Sequence, residues 1–146
     1  MRRNPLLFAL LLLPAVPSVA ADYRSVTEAA AVLYDAPSQK AKKLYLIRAQ
    51  TPVEVVVRLD RWIKIRDAEG SLAWIEAAQL ADKRTVIVTA NQAELRQVDQ
   101  DSSAVQLQLA KWVVLEYIAP AAAGWVKVRH ADGATGFVRS TQVWGL

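Results

Sequence analysis

The chain has 146 residues, 53% hydrophobic and 22% charged, with five Gly, six Pro, one His and no Cys. That is room for one compact domain or two very small ones, in a composition too apolar for a disordered chain and too poor in Gly for a fibrous one. Without Cys there is no disulfide scaffold and no thiol nucleophile, the lone His130 excludes a multi-histidine metal site, and a formal charge of +4 is too small to mark a nucleic-acid binder.

Residues 1–20 read as a secretory signal peptide. Arg2 and Arg3 precede the run Leu6–Leu13, Pro14 and Pro17 break it, and Ser18-Val19-Ala20 ends in small residues. The apolar run is about half the ~20 residues that span a bilayer. Cleavage is expected after Ala20, with Ala21 the alternative. No Cys follows to carry a lipid anchor. The expectation is an exported chain, periplasmic or secreted, with no integral membrane span after cleavage. Without Arg2 and Arg3 it is nearly neutral, with 16 basic residues against 14 acidic ones. Lacking disulfides, it must be stabilised by packing alone.

Further along, Ser25–Ala31 is built of good helix formers and predicts a loose helical turn. Lys40, Lys42, Lys43 and Arg48 form a basic stretch, read as a loop before a strand. Thr51–Leu59 is rich in β-formers. In Trp62-Ile63-Lys64-Ile65-Arg66 the period is two, with one apolar face and one aromatic and basic face. Asp67–Gly70 supplies the turn, and Ala73–Glu76 the returning strand with Ile75 inward. A boundary is placed near Lys83, followed by a strand over Arg84–Thr89, a turn at Asp99–Ser103 and a β-rich run over Lys111–Ile118.

The pattern then repeats. Trp125-Val126-Lys127-Val128-Arg129 and Gly133 stand 63 positions after Trp62–Arg66 and Gly70, and Phe137-Val138 pairs with Trp74-Ile75 at the same offset. A longer connection, Ala119–Gly124, precedes the second Trp. Flanking strands that match around a loop that does not are what a duplicated domain shows. At about 60 residues a domain buries only ~60% of its surface, so two such units are expected to pack together as one rigid pair.

The late hairpin, Trp-x-Lys-Val-x, then Gly, then Gly-Trp-Val, resembles that of the bacterial SH3-like (SH3b) domain family. Here it reads Trp62-Ile63-Lys64-Ile65, Gly70, Ala73-Trp74-Ile75, and again Trp125-Val126-Lys127-Val128, Gly133, Gly136-Phe137-Val138. The run Thr51–Thr85 and the ending Gln142–Leu146 resemble a branch of exported proteobacterial proteins with tandem SH3-like domains. The resemblance implies an all-β chain: two tandem SH3-like small β-barrels, residues 26–83 and 84–146, after the signal peptide. The family's Asn-Val-Arg-x-Gly-Pro is replaced by Val32–Pro37 in one copy and by Glu94–Asp99 in the other.

An aromatic beside cations suits stacking a sugar or gripping a carboxylate. The candidate ligand-binding residues are therefore Tyr34, Trp62, Lys64, Arg66 and Trp74 in the first copy, and Trp125, Lys127, Arg129 and Phe137 in the second. Trp62 and Trp125 could equally cover the ends of a small core. Trp112 and Tyr117 are read as interface or groove residues, Trp144 as docking the C-terminus, and His130 as an exposed turn residue. No Gly-x-Ser-x-Gly, phosphate loop or His-Glu-x-x-His is present, so no enzyme, metal or cofactor is expected. The resemblance points to a binding module for a cell-wall polymer or an envelope protein, with no nucleic-acid partner. The alternatives are a scaffold that docks a partner's extended segment and an accessory or inhibitor of a cell-wall hydrolase.

Overall fold

Alternation decides the architecture. In a computed structural model that describes residues 19–146, Ile63 and Ile65 on one strand and Ala73 and Ile75 on the next are buried, while the residues between them face outward. The proposed leader up to Ser18 lies outside the described residues. The first half carries β1 (Tyr23–Val26), β2 (Ala31–Tyr34), β3 (Lys43–Ile47), β4 (Pro52–Leu59), β5 (Trp62–Arg66), β6 (Leu72–Glu76) and β7 (Leu80–Ala81). The second carries β8 (Thr85–Val88), β9 (Gln92–Arg96), β10 (Val105–Ala110), β11 (Val114–Pro120), β12 (Trp125–Arg129), β13 (Thr135–Arg139) and β14 (Val143–Trp144).

Each set forms one antiparallel seven-stranded sheet, in the order β3-β2-β6-β5-β4-β1-β7 and β10-β9-β13-β12-β11-β8-β14. The two orders are the same topology written twice. Each sheet encloses its own core: Val26, Leu33, Ile47, Val53, Ile63, Ile65 and Ile75 in the first, and Val86, Val88, Leu95, Leu109, Leu115, Val126, Val128 and Val138 in the second. The chain is thus all-β, two tandem SH3-like barrels. A 3-10 turn, Ala77–Gln79 or Ser140–Gln142, leads into the last short strand of each.

Three sequence expectations change. The helical turn over Ser25–Ala31 is absent: Ser25 and Val26 end β1, paired to Ala81 and Leu80, and Ala31 opens β2. Strand pairing here overrides helix propensity. The basic stretch is not all loop, because Lys43–Ile47 is a strand paired to β2. The run Lys111–Ile118 becomes a strand only from Val114. Trp112 sits at φ 71°, as its counterpart Gln50 sits at 60°, with its N–H donated to Val88 as that of Gln50 is to Val26.

All four residues of β8 are buried. Val86 and Val88 enter the second core, whereas Thr85 and Ile87 face the first barrel. The Thr85 hydroxyl donates to the Gln50 carbonyl at 2.7 Å.

Candidate functional site

Because Ile63 and Ile65 point into the core, Trp62, Lys64 and Arg66 share the outer face of β5. The register with β6 sets Glu76 opposite Trp62, Trp74 opposite Lys64 and Leu72 opposite Arg66. Tyr34, at the end of β2, pairs with Trp74. A shift in register after Leu33 keeps Leu33 in the core and lays Tyr34, 8% exposed, edge-on to Trp62, at 5.3 Å between centroids and 87° between planes. The Lys64 ammonium lies 6.0 Å from the Trp74 centroid. Beside this cluster runs a groove of about 360 Å³ lined by Pro37, Gln39, Lys40, Arg61, Trp62 and Glu76 among others. The Gln39 amide donates to Glu76 at 3.0 Å.

In the second barrel the same register sets Arg139 opposite Trp125 and Phe137 opposite Lys127. The Arg139 guanidinium lies over the Trp125 ring, 4.4 Å from its centroid, and is paired with Asp101. Trp125 is left 7% exposed. Lys127 stands 6.0 Å from the Phe137 ring. Arg96 occupies the position of Tyr34, paired to Phe137 across the strands. It donates to the carbonyls of Asp101 and Ser103 at 2.7 Å each and pairs with Glu94.

Trp62, Lys64 and Trp74 therefore come together on one outer face, and Tyr34, expected to contact a ligand, is instead buried beneath it as the support of Trp62. Trp125, Lys127 and Phe137 share the equivalent face, but Trp125 is covered. Arg66 and Arg129 are drawn away from both clusters by carboxylates across the strand, Glu54 at 2.6 Å and Glu116 at 3.3 Å. The basic stretch does not form one patch: Lys40 lines the groove, and the Arg48 guanidinium donates to the Trp112 carbonyl at the seam between barrels. Glu76, Gln39, Arg61 and Arg139 escaped the sequence reading. The signal for two of them was present, since Glu76 and Arg139 stand at the same offset as the paired tryptophans.

The aromatics left open by the sequence serve the seam and the C-terminus. Trp112 lines a cavity of about 250 Å³ between the barrels with Tyr45, Ile47, Arg48, Asp67 and Ile87. Tyr117 and Tyr23 flank the Arg84 guanidinium, with centroids at 5.2 and 5.7 Å. Trp144 packs edge-on to Tyr23 at 5.0 Å, so the C-terminus docks on the first strand of the other barrel. His130 is half-buried at its hairpin, with Nδ1 3.0 Å from Asp132. The Ala134 N–H and then His130 hold the Asp132 carboxyl below its ordinary range. Among the described residues there is no cluster of His, Cys, Asp and Glu that could hold a metal ion, and no helix long and apolar enough to cross a membrane.

Two small barrels of one topology, each with an aromatic and basic outer hairpin face, define a tandem SH3-like protein. The model of the bacterial SH3 domain matches twice, over residues 27–82 and 89–145, and the chain belongs to that family. Comparison with curated proteins finds no match. Among solved structures the chain is similar to NlpC2 and NlpC1 from Trichomonas vaginalis, at 10% and 11% identity and TM-scores of 0.39 and 0.40, covering 86% and 96% of this chain and 48% and 51% of theirs. It is also similar to an NlpC/P60 family protein from Bacillus cereus ATCC 10987, at 15% identity and a TM-score of 0.39, covering 84% of this chain and 56% of that one. The chain spans about half the length of these proteins, and superpositions this loose carry no argument about activity.

Proposed function

We propose that the protein is an exported, non-catalytic binding module that recognises a cell-envelope ligand, peptidoglycan or a wall-associated protein, through the outer face of its first barrel. The observation that carries this reading is the Tyr34–Trp62 pair. Tyr34, buried at 8% exposure, backs Trp62 edge-on and so holds the half-buried Trp62 ring beside Lys64 and Trp74 on an outer hairpin face, next to a groove with polar walls. Half-buried tryptophans held rigidly next to donors and cations suit a sugar ring or a peptide plane. Had these rings been spent between the barrels, a scaffold role would have been favoured. The seam instead uses Trp112, Tyr117 and Trp144.

The test is co-sedimentation with isolated peptidoglycan at low salt. The protein is expected in the pellet, and Trp62→Ala or Trp74→Ala is expected to leave it largely in the supernatant. An unchanged supernatant for the unaltered protein rejects wall binding, and equal pelleting of all three rejects the first barrel's outer face as the site of it.

One feature favours the scaffold reading as a second proposal. Strand β3 is the edge of its sheet and exposes Leu44, Tyr45 and Leu46, the last at 67%. A partner's extended segment could add to that edge. Leu46→Lys would then abolish partner capture by crosslinking, whereas Trp62→Ala would not.

A further inference from the structure

The two barrels carry opposite charges at one position. Glu76 faces Trp62 and Arg139 faces Trp125 in the same strand register. The loop above them is also equivalent: Asp35 donates its N–H to Lys42 and Gln97 donates to Ala104, each at 3.1 Å. That loop sends Gln39 down to Glu76 in the first barrel and Asp101 down to Arg139 in the second. The contact is the same with its polarity reversed.

In the second barrel the result is a guanidinium lying on a tryptophan face with a carboxylate beside it. This is the arrangement in which a cation binds an aromatic ring. In the first barrel the ring is half-buried rather than covered, and the residue across the strand is a carboxylate. Among the described residues the hydrogen-bond partner of that carboxylate is the neutral Gln39 amide.

We infer that the first barrel carries a slot for a positively charged peptide group, guanidinium or ammonium, on the face of Trp62 beside Glu76, and that the second barrel's copy of this slot is filled by its own Arg139. The inference rests on the proposal that the first barrel's outer face is a ligand surface. Lys40 and Arg61 line the same groove and repel a bare cation. The ligand must therefore also bring an anionic group to them, which makes it zwitterionic, as a peptide with a basic side chain and a free carboxylate is. The second barrel contributes no equivalent site. Any gain from two linked sites on one body is absent, and affinity rests on one groove.

The experiment is a titration of the ¹⁵N-labelled protein, reading the five indole N–H signals. The probes are Nα-acetyl-arginine and its neutral isostere Nα-acetyl-citrulline. Acetyl-arginine is expected to shift the Trp62 indole and leave that of Trp125 unmoved. Acetyl-citrulline is expected to bind about five-fold more weakly, as loss of one exposed cation–π contact and one ion pair implies. Glu76→Gln should reduce acetyl-arginine to the level of citrulline. Arg139→Glu, or Arg139→Gln if the former does not fold, should make the Trp125 indole respond. Equal response to the two probes, no response at Trp62, or a response at Trp125 in the unaltered protein overturns the inference. Competition by solubilised stem-peptide fragments assigns the cation to the wall, and competition by an arginine tripeptide alone assigns it to a protein segment. Co-sedimentation separates the two proposals. Wall binding that survives Glu76→Gln removes the cation slot alone, and an arginine-dependent Trp62 shift without co-sedimentation removes the wall alone.

Discussion

Gly136 and Ala73 occupy the same place in the two barrels, and they show how closely each hairpin packs on its neighbour. A Cβ on Gly136 would stand 2.5 Å from the Arg96 carbonyl oxygen and 2.9 Å from the Leu95 side chain. One of these contacts is backbone, which cannot swing aside, so β9 and β13 must part. Gly136→Ala should cost about 1–3 kcal/mol, the usual range for overpacking. Calorimetry should show a lower melting temperature for the chain. Ala73 is accommodated in the first barrel at 1% exposure, and Ala73→Gly should there cost about 1–2 kcal/mol, from the lost buried methyl and the looser backbone rather than from a clash. A second residue-scale prediction concerns Tyr45. Desolvation, and then the hydrogen bond its hydroxyl donates to Asp67, pushes its pKa up to about 12. A phenol whose pKa is raised on folding contributes stability that is fully present below its ordinary value near 10. That stability is lost as pH climbs towards 12. Because the residue is 43% exposed, the energy is that of a surface contact, below about 1 kcal/mol. Following phenolate absorbance with pH should show a late component near 12 that Tyr45→Phe removes.

At the scale of elements, the late hairpin is the most legible part. Its period-two run fixed which side of β5 and β12 faces the core, and Asp67–Gly70 and His130–Gly133 close the turns with Gly70 and Gly133 at φ 89° and 95°. No atom lies within 4 Å of a Cβ added at Gly133, so Gly133→Ala meets only backbone strain. It should cost about 1 kcal/mol in chemical denaturation, and Gly133→Asn less, since Asn tolerates the left-handed region. Strand β3 was not legible, because Lys43–Ile47 is mostly exposed and carries no apolar alternation, and pairing with β2 creates it. Strand β10 was legible and passed over: Val105-Gln106-Leu107-Gln108-Leu109 alternates, and it pairs with β9. The candidate site was half legible for a related reason. Trp62, Lys64 and Trp74 sit on strands whose period is visible. That Arg66 and Arg129 would be held by Glu54 and Glu116, and that Arg139 would lie on Trp125, depends on cross-strand register, which the local sequence does not carry.

At the scale of the molecule, the question is what makes two barrels of sixty-odd residues one body without a disulfide. Arg84 stands where they meet. Its guanidinium lies between Tyr23 of the first barrel and Tyr117 of the second, and Nη2 donates to the Gly145 carbonyl at 2.8 Å. Its Nε is buried and has no partner among the described residues. Around it, Thr85 donates to Gln50, Arg48 donates to Trp112, and Trp144 packs on Tyr23. Four of these contacts, Arg84 on Tyr23, Thr85 to Gln50, Arg48 to Trp112 and Trp144 on Tyr23, cross from one barrel to the other, so opening the seam breaks them together. A hydrogen bond from a charged group contributes about 1.5–3 kcal/mol, and cation–π contacts at least ~0.5 kcal/mol each. That is a large share of the stability available to a domain of this size. The intact chain should therefore unfold in a single calorimetric transition. Arg84→Ala should lower it and split it into two, because each barrel then melts on its own. Arg84→Met keeps the apolar stem and loses the charge, and should lower the midpoint with less separation. A single unshifted transition in Arg84→Ala would show that the coupling is carried by β8 and its two-faced burial instead, in which case Thr85→Val is the substitution that divides the melt.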